Sequence, residues 1–142
     1  MDKIIIYTDG ACQGNPGPGG WAWMMQWKDN YKENAGCEKH TTNNRMELTA
    51  VIEALKAIKR QVDEIELYSD SQYVVKGINE WLKSWKQRNF ANVKNSDLWK
   101  ELDFLIDDKS KKFTANWVRA HNGHPENEKA DKMAVSAIRS CR

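Results

Sequence analysis

The run Ile4-Ile5-Ile6-Tyr7-Thr8-Asp9-Gly10 sets the architecture. It is a β-rich apolar segment that stops at an acid and a glycine, as a strand does where it gives way to a turn. Directly after it, Gly14-Asn15-Pro16-Gly17-Pro18-Gly19-Gly20 reads as a loop, and Trp21 to Trp27 as a second strand of aromatic and apolar residues. Tyr31 to Cys37 is a weaker third strand, so the chain opens as an antiparallel meander. From Asn43 to Arg60 the period changes, with Met46, Leu48, Val51, Ile52, Leu55 and Ile58 recurring at helical spacing. A short strand, Ile65-Glu66-Leu67-Tyr68, then stops at Ser69-Asp70-Ser71, much as the first stops at Asp9. Helical stretches over 72–77, 78–85 and 96–107 precede a last strand, Phe113 to Val118. Pro125 opens a final helix through Ile138, proline being tolerated in a first turn. This order predicts an α/β fold, a mixed sheet with helices packed against it.

The chain has 142 residues, enough for one domain with a real core. No linker, repeat or composition shift divides it, so residues 1–142 are expected to act as a single domain. Hydrophobic residues are 40% and charged residues 30%, which excludes a disordered or coiled-coil chain. No apolar run approaches the roughly 20 residues of a membrane span, and the N-terminus has no signal-peptide pattern. The expectation is a cytoplasmic protein with no membrane contact. Cys12, Cys37 and Cys141 are odd in number and lack CxxC spacing, so neither a disulfide framework nor a zinc site is expected.

The chemical signal is acidic. Asp9 and Asp70 each follow an apolar strand, and ligands of open α/β sheets bind at the carboxyl ends of strands. Glu47 lies near the start of the first helix and Asp131 near the start of the last. Each has a plain structural reading: Asp9-Gly10 as turn chemistry, Asp70 as a helix N-cap, Glu47 closing a capping box with Asn44, Asp131 complementing a helix dipole. Together they are harder to dismiss. Adjacent strands ending in Asp place carboxylates close together, a costly cluster unless a cation neutralises it. Oxygen-only ligands suit Mg²⁺ or Mn²⁺. Two such ions about 4 Å apart activate water and stabilise a leaving oxygen at a phosphodiester. The four charges of the acids match two divalent ions.

Three further features bear on function. His121, in the loop His121-Asn122-Gly123-His124-Pro125, suits proton transfer beside a metal site. The sequence Gly17-Pro18-Gly19-Gly20-Trp21-Ala22 formally matches a dinucleotide fingerprint, but a strand follows where a helix is required, so nucleotide binding is rejected. From Lys76 to Lys100 six basic residues (Lys76, Lys83, Lys86, Arg88, Lys94, Lys100) face two acidic ones (Glu80, Asp97), against an overall charge of +2. The window also holds Trp81 and Trp85, one helical turn apart and so on one face. A buried core is the competing reading for these two rings.

Four motifs resemble one family. Thr8-Asp9-Gly10-Ala11-Cys12 with Gly14-Asn15-Pro16-Gly17-Pro18-Gly19-Gly20 is similar to the opening of type 1 ribonucleases H. Thr41-Thr42-Asn43-Asn44-Arg45-Met46-Glu47-Leu48 resembles the first-helix motif, and Ser69-Asp70-Ser71-Gln72-Tyr73-Val74 the second aspartate motif. Trp117 to Glu128, with Asp131, resembles the C-terminal motif. The resemblance runs the length of the chain in order. It implies a five-stranded sheet of order 3-2-1-4-5 and cleavage of the RNA strand of an RNA–DNA hybrid, leaving 5′-phosphate and 3′-hydroxyl ends. It implies that Asp9, Glu47, Asp70 and Asp131 hold the metals, with His121 assisting proton transfer or product release. It further implies that Cys12, Asn15, Asn43, Asn44 and Gln72 follow the RNA strand. Thr42 and Asn95 would grip a DNA phosphate, with Trp81 and Trp85 facing the DNA beside the basic segment Lys83, Lys86 and Arg88.

Amide side chains can both donate to and accept from a 2′-hydroxyl, the group that separates RNA from DNA. An apolar indole suits a deoxyribose. One departure stands out: only Asn89-Phe90-Ala91-Asn92 separates Arg88 from Val93, shorter and less basic than well-known bacterial members, which predicts weaker substrate affinity. No second hybrid-binding domain is read in the chain, so processivity from one is not expected, and a monomer without an obligate protein partner is the default expectation for so small a domain. A non-catalytic hybrid-binding protein and a DNA-cutting resolvase or integrase relative are the alternatives on this fold. The first is disfavoured because all four acids are present, the second by the amides suited to 2′-hydroxyls.

Overall fold

The computed structural model describes residues 2–119 and 124–141. Strands β1 (Lys3–Cys12), β2 (Gly17–Trp27) and β3 (Asn30–Thr41) form the meander, followed by helix α1 (Asn43–Lys56) and strand β4 (Val62–Ser69). Helix α2 (Gln72–Lys76) runs through a π-helical turn (Gly77–Trp81) into α3 (Leu82–Gln87); α4 (Ser96–Lys109), β5 (Ser110–Trp117) and α5 (Pro125–Ile138) follow. The sheet order is β3-β2-β1-β4-β5. β1 is antiparallel to β2 and parallel to β4, which places the ends of β1 and β4 side by side. No helix among the described residues is long and apolar enough to cross a membrane.

Alternation along the strands divides the core. Ile4, Ile6, Trp23 and Met25 turn to one face and pack with Leu48, Val51 and Leu55 of α1, and with Trp99 and Leu102 of α4. Gly20, Ala22 and Met24 turn to the other face, where α5 lies so close that a Cβ on Gly20 would strike the Ala134 carbonyl. Gly77 is likewise covered by the Trp99 ring, which explains a glycine inside an otherwise helical segment. Trp99 itself is fully buried, and its indole N–H donates to the Tyr73 hydroxyl at 2.9 Å.

Several expectations change. β1 does not stop at Asp9-Gly10; it continues to Cys12, with Gly10 opposite Trp21 and Ala11 opposite Gly20. β3 runs to Thr41 rather than Cys37, because its ladder with β2 resumes past an irregularity near Gly17 and Gly19. The capping box between Asn44 and Glu47 does not form: Thr42 is the N-cap, its side chain accepting from the Arg45 amide. Asp70 is no N-cap either, since Ser71 caps α2 by accepting from the Val74 amide.

The cysteine expectation is also overturned. Cys37 on edge strand β3 is bonded to Cys141 in the 3₁₀ turn after α5, with Cα atoms 5.9 Å apart, and Cys12 is left free. The partners are 104 residues apart in sequence. Only the packing of α5 against the sheet brings them together, so their spacing carried no signal. A bridge closing so long a loop stabilises the fold by about 2–5 kcal/mol through the unfolded state. Thiol titration of the unfolded protein should therefore give one free cysteine before reduction and three after, and reductant should lower the melting temperature by several degrees. An unchanged melt would mean that the bridge adds no stability.

Candidate active site

β1 supplies Asp9, and the residue after it, Gly10, is the one that faces α1. A Cβ at Gly10 would meet the Glu47 nitrogen and the Met46 carbonyl carbon at 2.5 Å. No other residue type admits a helix backbone so near. That approach carries Glu47, the fifth residue of α1, down beside Asp9. β4 ends one residue before Asp70 and runs parallel to β1, so Asp70 completes the group. One carboxylate oxygen from each of Asp9, Glu47 and Asp70 lies within 4.8 Å of the others. Asp131, on the second turn of α5, sits outside this trio, yet its carboxyl bears on Asp9.

The group is electrostatically strained. Asp9 and Glu47 are only 3% and 6% exposed, while Asp70 is half-buried. Burial is the main force pushing the Asp9 pKa up to about 8, and the neighbouring Asp70 and Asp131 add to it. Burial likewise holds Glu47 well above the usual carboxylate range, with Asp9 and Asp70 adding like charge. The Gly10 amide opposes the shift by donating to Asp9 Oδ1 at 2.9 Å. Glu47 Oε1 is buried with no hydrogen-bond partner. A carboxylate oxygen left unpartnered among other carboxylates is what a cation-binding site requires of its donor set. These residues fit a hard divalent ion.

The remaining expected residues, His121 aside, fall into two sets. On the side of the glycine-rich loop, Cys12 Sγ lies 3.5 Å from the Gly17 carbonyl and 3.4 Å from that of Thr41. Asn15 Oδ1 accepts from the Asn43 amide at 2.8 Å, tying the loop to the start of α1. Asn43, Asn44 and Gln72 are exposed. His121 lies outside the described residues.

The second set begins at Arg45, a residue to which the sequence reading attached no role. Arg45 Nη1 and Nη2 clasp Asp97 at 3.0 and 2.8 Å, and Nη1 also reaches Asn95 Oδ1 at 3.2 Å. Asn95, in a left-handed conformation at φ 59°, donates through Nδ2 to the Tyr73 hydroxyl at 3.1 Å. The Asn95 amide expected on a DNA phosphate is thus engaged at both ends, and Thr42 is engaged as the cap. Trp81 is 38% exposed, whereas Trp85 leans inward, its ring 5.0 Å from that of Trp99 and edge-on to it. The ring centroids of Trp81 and Trp85 lie 5.8 Å apart, with Trp81 exposed and Trp85 part-buried. Lys83, Lys86 and Arg88 are exposed, with Lys86 paired to Asp103 at 3.3 Å. A charge pattern marks the segment in the sequence, but not the turn of Trp85 into the core.

The RNase H family profile matches residues 1–139. Ribonuclease H of Cupriavidus pinatubonensis is 54% identical over 145 aligned positions, covering 99% of this chain and 98% of that protein. Ribonuclease H of Polynucleobacter asymbioticus is 55% identical, over 95% of this chain and 89% of its own length. Among solved structures, a type 1 RNase H carrying the type 2 active-site motif superposes with a TM-score of 0.88 at 30% identity, over 100% of this chain and 74% of that one. An RNase H crystallised with an RNA/DNA hybrid has the same fold, with a TM-score of 0.76 at 24% identity over 96% of this chain and 97% of that one.

The raised acids make stability depend on pH with a definite sign. Unfolded, Asp9 releases its proton near 3.8; folded, it holds it to about 8, and Glu47 is displaced the same way. The folded state therefore binds more protons across that window, and stability falls as pH rises through it. In EDTA the melting temperature should decline from pH 5 to pH 8, and Mg²⁺ or Mn²⁺ should restore more of it at pH 8 than at pH 5. A flat profile in EDTA would show that the folded acids hold their protons no more tightly than the unfolded ones.

Proposed function

Because the chain belongs to the RNase H family, whose members hydrolyse the RNA strand of RNA–DNA hybrids, we propose that it carries out this reaction with divalent cations held by Asp9, Glu47, Asp70 and Asp131. The observation that carries the site assignment is the trio Asp9, Glu47 and Asp70 within 4.8 Å, two of them buried, with one oxygen of Glu47 unpartnered. Mg²⁺ or Mn²⁺ bound there, two ions per site, supplies the charge that activates water and stabilises the leaving oxygen of the phosphodiester. The chain's own residues do the rest. Asp9 and Glu47 ionise when the cation's charge replaces their protons, so the site charges as it loads. Asp70, less buried, lies on the open side. His121 moves a proton at the leaving oxygen, and the cut leaves 5′-phosphate and 3′-hydroxyl ends.

Substrate recognition follows from the two sets of residues. Cys12, Asn15, Asn43, Asn44 and Gln72 line the path of the RNA strand, where backbone and amide groups meet 2′-hydroxyls as donor and acceptor. Thr42, Asn95 and Trp81 serve the DNA strand, and Trp85 supports Trp81 from beneath. Lys83, Lys86 and Arg88 attract the phosphate backbone. The 142 residues act as one catalytic domain, a cytoplasmic monomer without an obligate protein partner.

Asp70→Asn removes a charge from a crowded site without disturbing the core. It should cut hydrolysis of a matched hybrid by roughly 100- to 1,000-fold in Mg²⁺, the loss expected when several kcal/mol of charge stabilisation disappear. The same assay run on duplex RNA and duplex DNA tests the substrate class. Wild-type turnover in the variant would remove Asp70 from the site.

Neutralising Lys83, Lys86 and Arg88 together should weaken hybrid binding and flatten its salt dependence. Each phosphate contact contributes about 0.9 to the slope of log K against log salt. Because Lys86 is already shared with Asp103, the slope should fall by about 2 rather than 3. Binding titrations at several salt concentrations would measure it, and an unchanged slope would leave these three as a solvated face.

A further inference from the structure

Tyr73, in α2, ends in a hydroxyl that accepts two hydrogen bonds. The Trp99 indole N–H reaches it at 2.9 Å and Asn95 Nδ2 at 3.1 Å. Neither bond can run the other way. An indole nitrogen only donates. The Asn95 amide is oriented by its other end, because Arg45 Nη1 donates to Asn95 Oδ1 at 3.2 Å and a guanidinium never accepts. The nitrogen of Asn95 must therefore face Tyr73. With two donors already on the phenol oxygen, its own proton points away from both Trp99 and Asn95. Asn95 Nδ2 likewise carries a second hydrogen. Among the described residues no acceptor takes either hydrogen. Both residues are half-buried, so neither is sealed in the core.

Two unused hydrogens on atoms 3.1 Å apart suit an anion that offers more than one oxygen. The surroundings favour one. Lys76, one helical turn after Tyr73, and Lys94, next to Asn95, are exposed, while Asp97 is neutralised by Arg45 at 2.8 Å. We infer that Tyr73 binds substrate: its hydroxyl donates, beside Asn95 Nδ2, to one phosphate of the DNA strand. The inference rests on the reading of Asn95 as a DNA-strand residue and gives that residue a second donor at the same phosphate. Trp99 and Asn95 turn the phenol proton outward before substrate arrives, so little freedom is lost when the contact forms.

Tyr73→Phe keeps the ring edge-on to Trp99, 5.6 Å away, and removes the proton. It also leaves the indole N–H without its acceptor, so the melting temperature should fall by several degrees, and kinetics belong well below it. KM for a matched hybrid should rise roughly 10-fold, as for a lost hydrogen bond to a charged group, with kcat within about twofold. The substrate then separates contact from structure. Hybrids are made with a single methylphosphonate, an uncharged linkage, at successive positions of the DNA strand. At one position the penalty on KM should be roughly 10-fold smaller in Tyr73→Phe than in the wild type. Asn95→Gly, which suits the left-handed backbone and leaves the indole its acceptor, should be blunted at that same position. A merely structural weakening would act on every hybrid alike. Equal penalties in Tyr73→Phe and the wild type at every position, with Asn95→Gly blunted at one, would overturn the inference and leave Asn95 on the DNA strand. If no DNA-strand methylphosphonate affected the wild type, the DNA-strand reading would fall, and the role of Tyr73 with it.

Discussion

The contact between Gly10 and the backbone of α1 at Met46 and Glu47 is the constraint on which the site depends. Without a side chain at Gly10, the helix descends until Glu47 shares the space of Asp9. The cost is electrostatic, two acids buried within reach of a third. It is offset by the core on the α1 face, where Leu48, Val51 and Leu55 of the same helix are fully buried against Ile6 and Ile65. The apolar residues that follow Glu47 thus hold it where its own charge disfavours it. Such opposition between local chemistry and global packing is expected at functional sites and seldom elsewhere.

A second region is joined to the first through one arginine. Arg45, two residues before Glu47, clasps Asp97 and Asn95 at the start of α4, and Asn95 bonds Tyr73, three residues beyond Asp70. The helix bearing Glu47, the helix after Asp70 and the aromatic segment carrying Trp81 and Trp85 therefore meet around Tyr73 and Trp99. The planar guanidinium suits this post, since it serves two acceptors in fixed directions where a lysine would serve as a point charge. The residues proposed above for the DNA strand are thereby tied to the elements that carry the acids.

The C-terminal helix is secured differently. α5 lies against β1 and β2 on the face opposite α1, through small residues such as Ala130 and Ala134, and brings Asp131 to Asp9. Its far end is joined to β3 by the bridge from Cys37 to Cys141. The acids thus stand on β1, α1, the end of β4 and α5. Each element is anchored by contacts that do not involve the carboxylates, so the repulsion among them is contained rather than relieved by rearrangement.

Much of this was legible in the residues alone. Period-two and helical spacing revealed the strands and the main helices, because a half-buried element must repeat its apolar side at its own pitch. The acids stood out because Asp9 and Asp70 end apolar runs, and the motifs around them carry the family resemblance. Other features depend on which residues meet across long stretches of chain, and periodicity does not encode that. The β1 strand runs on past Asp9 because Gly10 and Ala11 find partners in β2. Thr42, not Asn44, caps α1, and Ser71, not Asp70, caps α2. Trp85 turns inward because Trp99 waits there, and Cys37 finds Cys141 because α5 lies across the sheet. The sequence determined the elements and the acids, since pitch and residue type are local properties. The tertiary structure alone decided how close the acids stand and what holds them, because distance between residues far apart in the chain is set by packing.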